Sequence, residues 1–178
     1  MDRTADPDLA RDIDAHCRLT GTFTLRSGQV ASEYFDKYLF ETDPDLLARV
    51  AAAMVPLVPE GTDLLGGLEM GGIPIVTVLS AQSRVPALFV RKQAKTYGTC
   101  KLAEGPDVSG RRVILVEDVI TTGGAVRSAT LALREAGATV DTVVCAIDRS
   151  PGVDNPLADV GLEISPVLTK ADLDGVRG

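Results

Sequence analysis

Val113-Ile114-Leu115-Val116-Glu117-Asp118-Val119-Ile120-Thr121-Thr122-Gly123-Gly124-Ala125 is the stretch of this sequence whose reading decides the fold. The aliphatic run Val113 to Val116 predicts a strand buried on both faces, and two adjacent carboxylates stand at its carboxyl end. Thr121 to Gly124 form a hydroxyl- and glycine-rich turn that opens directly into a helix over Ala125 to Ala136, closed by Gly137. Glycines let backbone wrap closely round a ligand, several N–H groups point inward, and a helix N-terminus favours an anion, so the turn suits a phosphate. Glu117 and Asp118 would repel a phosphate and suit the vicinal hydroxyls of a sugar. A sugar phosphate held in one site is the expectation. Thr-Thr-Gly-Gly alone reads as no more than a tight turn beside solvated acids, so the assignment rests on the whole stretch.

Outward from this stretch, strands and helices alternate, with no internal repeat or low-complexity segment. A first helix is predicted around Leu9 to Leu19. Thr22 to Leu25 and Tyr34 to Phe40 read as extended, separated by the turn signal Ser27-Gly28, and make a candidate hairpin. Thr42-Asp43-Pro44 supplies a cap and a first-turn proline, with Leu46, Leu47, Val50, Met54 and Leu57 at helical spacing up to Pro56 to Pro59. Then follow a short strand at Leu64-Leu65, a loop over Gly66 to Gly72, a helix over Ile73 to Ala81, and strands at Ala87 to Val90 and Thr139 to Ile147. Apolar strands joined by helical crossovers imply an α/β protein with a parallel sheet covered on both faces, whose ligands bind beyond the carboxyl ends of the strands.

Composition excludes several function classes. The chain has 178 residues, 45% of them hydrophobic, and a net charge of −7, which argues against nucleic acid and anionic membranes as partners. One domain is expected, and a chain of this length buries roughly 70% of its unfolded surface. No apolar run approaches the roughly 18 to 20 residues of a membrane span, and the polar, acidic start MDRTADPDLARD does not resemble a signal peptide, so a cytosolic protein is expected. Cys17, Cys100 and Cys145 are isolated and odd in number, which supports neither a disulfide framework nor a zinc knuckle. His16 is the single histidine, placed on an amphipathic helix near Ile13, Cys17 and Leu19, so multi-histidine metal sites are excluded and catalysis must come from other residues. No Walker lysine follows Gly71-Gly72, which argues against a P-loop nucleotidase.

Arg91 to Gly110 shows no periodicity, a length of loop that is usually functional or disordered. It holds Arg91, Lys92, Lys95 and Lys101 in an otherwise acidic chain and closes on Glu104-Gly105-Pro106. At the end of a strand in such a sheet this reads as a mobile cationic lid that neutralises an anionic leaving group, excludes water and then releases product.

The thirteen residues from Val113 to Ala125 resemble the 5-phosphoribosyl 1-diphosphate (PRPP) signature of type I phosphoribosyltransferases. Arg91-Lys92-Gln93-Ala94-Lys95-Thr96-Tyr97-Gly98 with Glu104-Gly105 resembles the lid loop of the orotate phosphoribosyltransferase family. Phe23 to Gly28, Tyr34-Phe35, Gly72-Ile73-Pro74 and Asp148-Arg149 add to the likeness in family order, from about Thr20 to Gly152. The resemblance implies a single phosphoribosyltransferase domain over residues 1–178, with a central parallel sheet flanked by helices, an N-terminal hood over 1–40 and a flexible lid over 91–110. It implies a Mg²⁺-dependent, reversible transfer of the phosphoribosyl group from PRPP to orotate, giving orotidine 5-monophosphate and diphosphate in pyrimidine nucleotide synthesis.

The resemblance also assigns roles. Lys95, Glu117 and Asp118 are its catalytic residues. PRPP would be met by Arg26, Arg91, Lys92, Lys95 and Tyr97 and by the run Glu117, Asp118, Val119, Ile120, Thr121, Thr122, Gly123, Gly124 and Ala125. Within that set Arg91, Lys92 and Lys95 face the diphosphate, Glu117 and Asp118 the ribose hydroxyls, and Thr121 to Ala125 the 5-phosphate. Orotate would be met by Tyr34, Phe35, Thr121 and Arg149. Mg²⁺ would ride mainly on substrate oxygens, with no protein ligand set of its own. The lid lysine would reach the neighbouring subunit's site, which implies a homodimer with shared active sites.

Three positions depart from the family pattern: Tyr97 replaces the loop histidine, Arg26 replaces a lysine, and Gly71 stands where a lysine is frequent. Arg26 keeps the charge, the Tyr97 hydroxyl still hydrogen-bonds an oxygen, and the missing cation at position 71 bears on diphosphate affinity. A purine-type phosphoribosyltransferase would share the cradle but need no cation for a carboxylate, which Arg149 supplies. A non-catalytic nucleotide- or RNA-binding regulator with this fold is opposed by the acidic charge and the intact lid.

Overall fold

The computed structural model describes residues 6–24, 28–92, 102–152 and 154–177. Capping starts the first helix where the chain offers it. The Asp6 carboxylate accepts the backbone N–H groups of Asp8 and Leu9, Pro7 stands in the first turn, and α1 runs over Pro7–Cys17 with Leu9, Ala10, Ile13 and Cys17 buried. It begins and ends two residues before the predicted helix, because Arg18 is already extended. The expected hairpin forms: β1 (Arg18–Thr24) pairs antiparallel with β2 (Val30–Phe35) as a separate two-stranded sheet.

The extended reading of Tyr34 to Phe40 is corrected beyond Phe35. Asp36 accepts the Tyr38 N–H through its carboxylate and the Leu39 N–H through its carbonyl, which turns the chain into a short helix α2, Tyr38–Thr42. Asp43 and Pro44 then cap α3 (Pro44–Met54) as the sequence predicts.

The remaining elements are β3 (Leu64–Leu68), α4 (Gly72–Ser83), β4 (Ala87–Val90), β5 (Ala103–Glu104), β6 (Val113–Ile120), α5 (Gly124–Glu135), β7 (Thr142–Asp148), β8 (Glu163–Thr169) and α6 (Lys170–Gly175). They build a six-stranded sheet in the order β5-β4-β3-β6-β7-β8, parallel except at β5. Several boundaries differ from expectation, among them the start of β7, at Thr142 and not Thr139. Gly66 to Leu68 belong to β3 instead of a loop, Ala103 and Glu104 of the predicted lid pair with β4, and β6 continues through both acids to Ile120.

The inner strands are apolar on both faces because each face has its own helical layer. Ile114 and Val116 of β6 pack with α1, α3 and α4, whereas Val113 and Leu115 pack with Val126, Ala129 and Leu133 of α5. Glycine sets how closely α4 approaches. A Cβ at Gly67 would lie 2.4 Å from Val76 Cγ1, and one at Gly72 would lie 2.5 Å from the Val116 carbonyl oxygen. The start of α4 therefore rests directly on β3 and β6 beside the strand ends, where the sheet's ligand site is expected.

Candidate active site

The carboxyl ends of β3 and β4 and the first turns of α5 surround a cavity of about 550 Å³ whose lining includes Leu68, Glu69, Arg91, Lys92, Gly124 and Ala125. The last two residues of the cradle and the first two cations of the lid therefore face one space. Lys95, Tyr97, Lys101 and Arg26 lie outside the described residues.

The cradle is made by backbone. Gly123 adopts φ +69°, a left-handed conformation that favours glycine, and it precedes α5 without any side-chain cap on the first-turn N–H groups. Thr121, Thr122, Gly124 and Ala125 are exposed around this turn, while Val119 is half-buried and Ile120 is buried at the strand end. A Cβ at Gly123 would lie 2.6 Å from Leu157 Cδ2, so the segment after β7 backs the turn. Arg127 locks that segment by donating to both Asp159 carboxylate oxygens, at 2.9 and 2.8 Å.

The two adjacent carboxylates occupy different surroundings. Asp118 is 1% exposed, and its Oδ1 accepts the Val119 N–H. Its Oδ2 forms an ion pair with Lys37 Nζ. Glu117 is also buried, and its Oε1 accepts the Asp118 N–H at 3.1 Å. Glu41 on α2 is a third buried acid, and Gly71 stands against it and Asp118: a Cβ there would be 2.8 Å from Glu41 Oε1 and 1.6 Å from Asp118 Oδ2. Burial, followed by the charge of Asp118, pushes the Glu41 carboxyl up to about 8. Burial and the hydrogen bond with Asp118 also raise Glu117 well above the usual range. Burial acts upward on Asp118 too, but Glu117 and Lys37 outweigh it and hold Asp118 below its ordinary value. Asp118 is thus the member of this acid cluster that stays ionised.

Arg91 is engaged by Glu104, Nε to Oε1 at 3.2 Å, which ties the two described ends of the lid region together across β4 and β5. The Lys92 N–H donates to Glu69 Oε1 at 2.6 Å. At the other side of β6, the Arg149 N–H donates to the Ile120 carbonyl at 2.8 Å and so stands beside the cradle. Its guanidinium lies 5.1 Å from the Phe35 ring centroid, and Tyr34 is half-exposed on the same strand. Among the described residues no carboxylate comes within salt-bridge distance of Arg149. Burial and the like charge of Arg18 press its pKa down. A half-buried cation flanked by a ring and left without a counter-ion is arranged to receive an anionic ligand.

The structure therefore gathers Arg91, Lys92, Glu117, Asp118, the cradle, Phe35 and Arg149 at one end of the sheet. Sequence reasoning missed Lys37, Glu41 and Glu69. A signal for the first two was present: Lys37 and Glu41 are four residues apart around the apolar Leu39-Phe40, a helical and not an alternating spacing. Among the described residues no group of three or more His, Cys, Asp or Glu side chains is arranged to hold a metal ion. Cys17 is removed from chemistry by burial, which pushes its thiol up to about 12.

Comparisons with known proteins identify the family. The phosphoribosyl transferase domain family matches residues 42–167. An orotate phosphoribosyltransferase from a Nocardioides species is 74% identical over 174 residues, covering 98% of this chain and 97% of that protein. A crystal structure of Mycobacterium tuberculosis orotate phosphoribosyltransferase in complex with Fe(III) dicitrate is 32% identical, with a TM-score of 0.81 over 94% of this chain and 97% of that one. The same organism's enzyme in complex with PRPP is 29% identical, with a TM-score of 0.77 over 94% and 98% of the two chains. By sequence along nearly its whole length and by the fold that carries the site, the chain belongs to the orotate phosphoribosyltransferase family.

Proposed function

We propose that this chain transfers the 5-phosphoribosyl group of PRPP to orotate, releasing diphosphate and forming orotidine 5-monophosphate in de novo pyrimidine synthesis. The observation that carries the reading is the pairing of an uncapped α5 N-terminus with the partnerless Arg149 across the end of β6, one suited to a phosphate and the other to a carboxylate. Glu117 and Asp118 on β6 accept the ribose hydroxyls. As the diphosphate leaves, positive charge develops on the ribose and negative charge on the leaving group. Arg91 and Lys92, with Lys95 and Tyr97 from the lid and Arg26 from the hairpin turn, meet the second, while the ionised Asp118 faces the first. Orotate is already anionic and needs no strong base, which suits a chain with one exposed histidine.

Mg²⁺ neutralises the diphosphate when bound. The ion would be carried mainly on substrate oxygens, in keeping with its reluctance to shed water, with Glu117 and Asp118 near the ribose end. The chain acts as a single domain, with residues 1–40 as a hood and 91–110 as a lid, in the cytosol. No described helix is long and apolar enough to cross a membrane.

The enzyme works as a homodimer in which Lys95 serves the partner's site. Mixing Lys95→Ala with Asp118→Asn subunits under exchange conditions will restore activity. About half of the dimers become mixed with one intact site each, so recovery approaches about one quarter of the wild-type activity per site. No recovery after exchange verified by mass spectrometry means that the lid works in its own subunit or that Lys95 is not catalytic. The primary test is orotate consumption, followed by ultraviolet absorbance. Loss must depend on both PRPP and Mg²⁺, and hypoxanthine must not replace orotate. No PRPP-dependent loss overturns the assignment.

A further inference from the structure

Two features of the ribose end of the site remain unused by the reaction as described. Lys37 sits between β2 and α2, outside every stretch that suggested a ligand. Its ammonium is paired with Asp118 Oδ2, and its side chain is 33% exposed while that of Asp118 is 1% exposed. The lysine is therefore the partner through which the buried carboxylate meets the solvent-facing side of the site. Position 71 carries no side chain, and it could carry none with Asp118 in this place, since a Cβ would fall 1.6 Å from Oδ2 and 2.5 Å from Cγ.

We propose that Lys37 is a positioning residue of the ribose site, which pins the Asp118 carboxylate against the bare Gly71 backbone in the one rotamer and charge state that the sugar hydroxyls can use. The proposal rests on the reading of Asp118 as a hydroxyl acceptor. The Val119 N–H holds Oδ1, so the orientation of the carboxylate turns on what holds Oδ2. That oxygen is surrounded by Lys37, Glu41 of α2 and the Gly71 backbone, with Glu117 as the strand neighbour. Asp36 and Tyr38 flank Lys37 in the chain, and Tyr38 presents its ring 5.3 Å from Nζ. Glu41 and Glu117 are both raised toward the neutral form, which leaves Lys37 and Asp118 as the charged pair of the cluster. Without the ammonium, three buried acids would compete for protons, and Asp118 would be the one to gain.

The test uses Lys37→Met, Lys37→Arg and Gly71→Ala in the full chain, with folding checked by circular dichroism and melting. Lys37→Met is expected to weaken PRPP binding at least tenfold by calorimetry and in KM, with the orotate KM within threefold of wild type. The acid limb of kcat/KM for PRPP should move to higher pH, because Asp118 has lost its counter-charge. Lys37→Arg should recover most of both effects. Gly71→Ala removes no charge, and its φ of −67° and ψ of −31° suit alanine, so its added Cβ acts by dislodging Asp118 and should reproduce the PRPP defect. PRPP binding within twofold of wild type in Lys37→Met, or equal loss for both substrates, overturns the proposal. If Lys37→Met fails to fold, an unchanged PRPP affinity in Gly71→Ala overturns it instead. Calorimetry needs no turnover: a wild-type protein that binds PRPP but does not consume orotate sinks the transfer reaction and leaves the role of Lys37 open to the same measurement.

Discussion

The cradle at the start of α5 and the carboxylate pocket under α2 lie at the same end of the sheet, but they are assembled by different means. The cradle is one continuous segment, and what it presents are backbone N–H groups left uncapped after a glycine turn. The pocket draws Lys37 from the β2–α2 connection, Glu41 from α2, Gly71 from the start of α4 and the two acids from β6. A locally built site tolerates changes elsewhere and fails when its own backbone conformation is lost. A site built from several elements fails when either charge of its ion pair is removed, because the acids there are buried and depend on the groups that hold them. The predictions below separate these two modes of failure.

The largest effect is expected in the pocket. Asp118→Asn removes the ionised member of the cluster and should lower kcat/KM for PRPP by at least about a hundredfold, since two charge-assisted hydrogen bonds of about 1.5–3 kcal/mol each are at stake. The circular dichroism spectrum should stay unchanged. Glu117→Gln should cost less, because Glu117 is already held toward its neutral form and its Oε1 is occupied by the Asp118 N–H. Wild-type rates in both variants would remove the acids from the ribose site.

Arg149→Ala comes next. The lost charged hydrogen bond should cost on the order of 1.5–3 kcal/mol in kcat/KM for orotate, with PRPP binding nearly constant. Equal weakening of both substrates would assign Arg149 to general support of the β6 and β7 ends.

In the cradle, Gly123→Ala forces a side chain into a left-handed backbone and toward Leu157. A cost of roughly 1–3 kcal/mol is expected, seen as a lower Tm and a higher KM for PRPP together. An unchanged Tm with a changed KM would mean that the turn adapts without involving the segment behind it.

The smallest effect concerns Glu41. Its folded pKa of about 8 lies above the ordinary 4.5, so between those values the folded chain keeps a proton that the unfolded chain has released. Stability from this group is complete below about pH 4.5 and falls as pH rises to about 8. Glu117 is shifted in the same direction, whereas Asp118 is shifted downward and loses stability only toward acid. Glu41→Gln mimics the protonated acid and should flatten the decline in Tm between pH 5 and 8 by several degrees, at about 2–4 °C per kcal/mol for a chain of this size. An identical pH profile in the variant would show that Glu41 titrates normally.

Much of the fold was legible because its signals are local. The Asp-Pro cap of α3, the apolar runs of β4, β6 and β7, and the Gly-Gly entry to α5 each act within a few residues of themselves. Strand β8 was hidden by Pro166, which argues against an inner strand. It stands at the sheet edge, where one side of the strand needs no partner. Helix α2 was hidden by apparent continuity with β2, and the turn depends on the Asp36 side chain taking the Tyr38 N–H.

The sequence by itself determined the parallel α/β layering, the glycine turn into an uncapped α5 and the pair of adjacent acids on β6, because periodicity, capping and glycine conformation are properties of short stretches of chain. Only the tertiary structure decided which of the adjacent acids stays charged, and what holds it. Those outcomes depend on burial and on charges from residues about 50 to 80 positions away in the chain, brought within a few ångströms by the packing of α2 and α4 against β6.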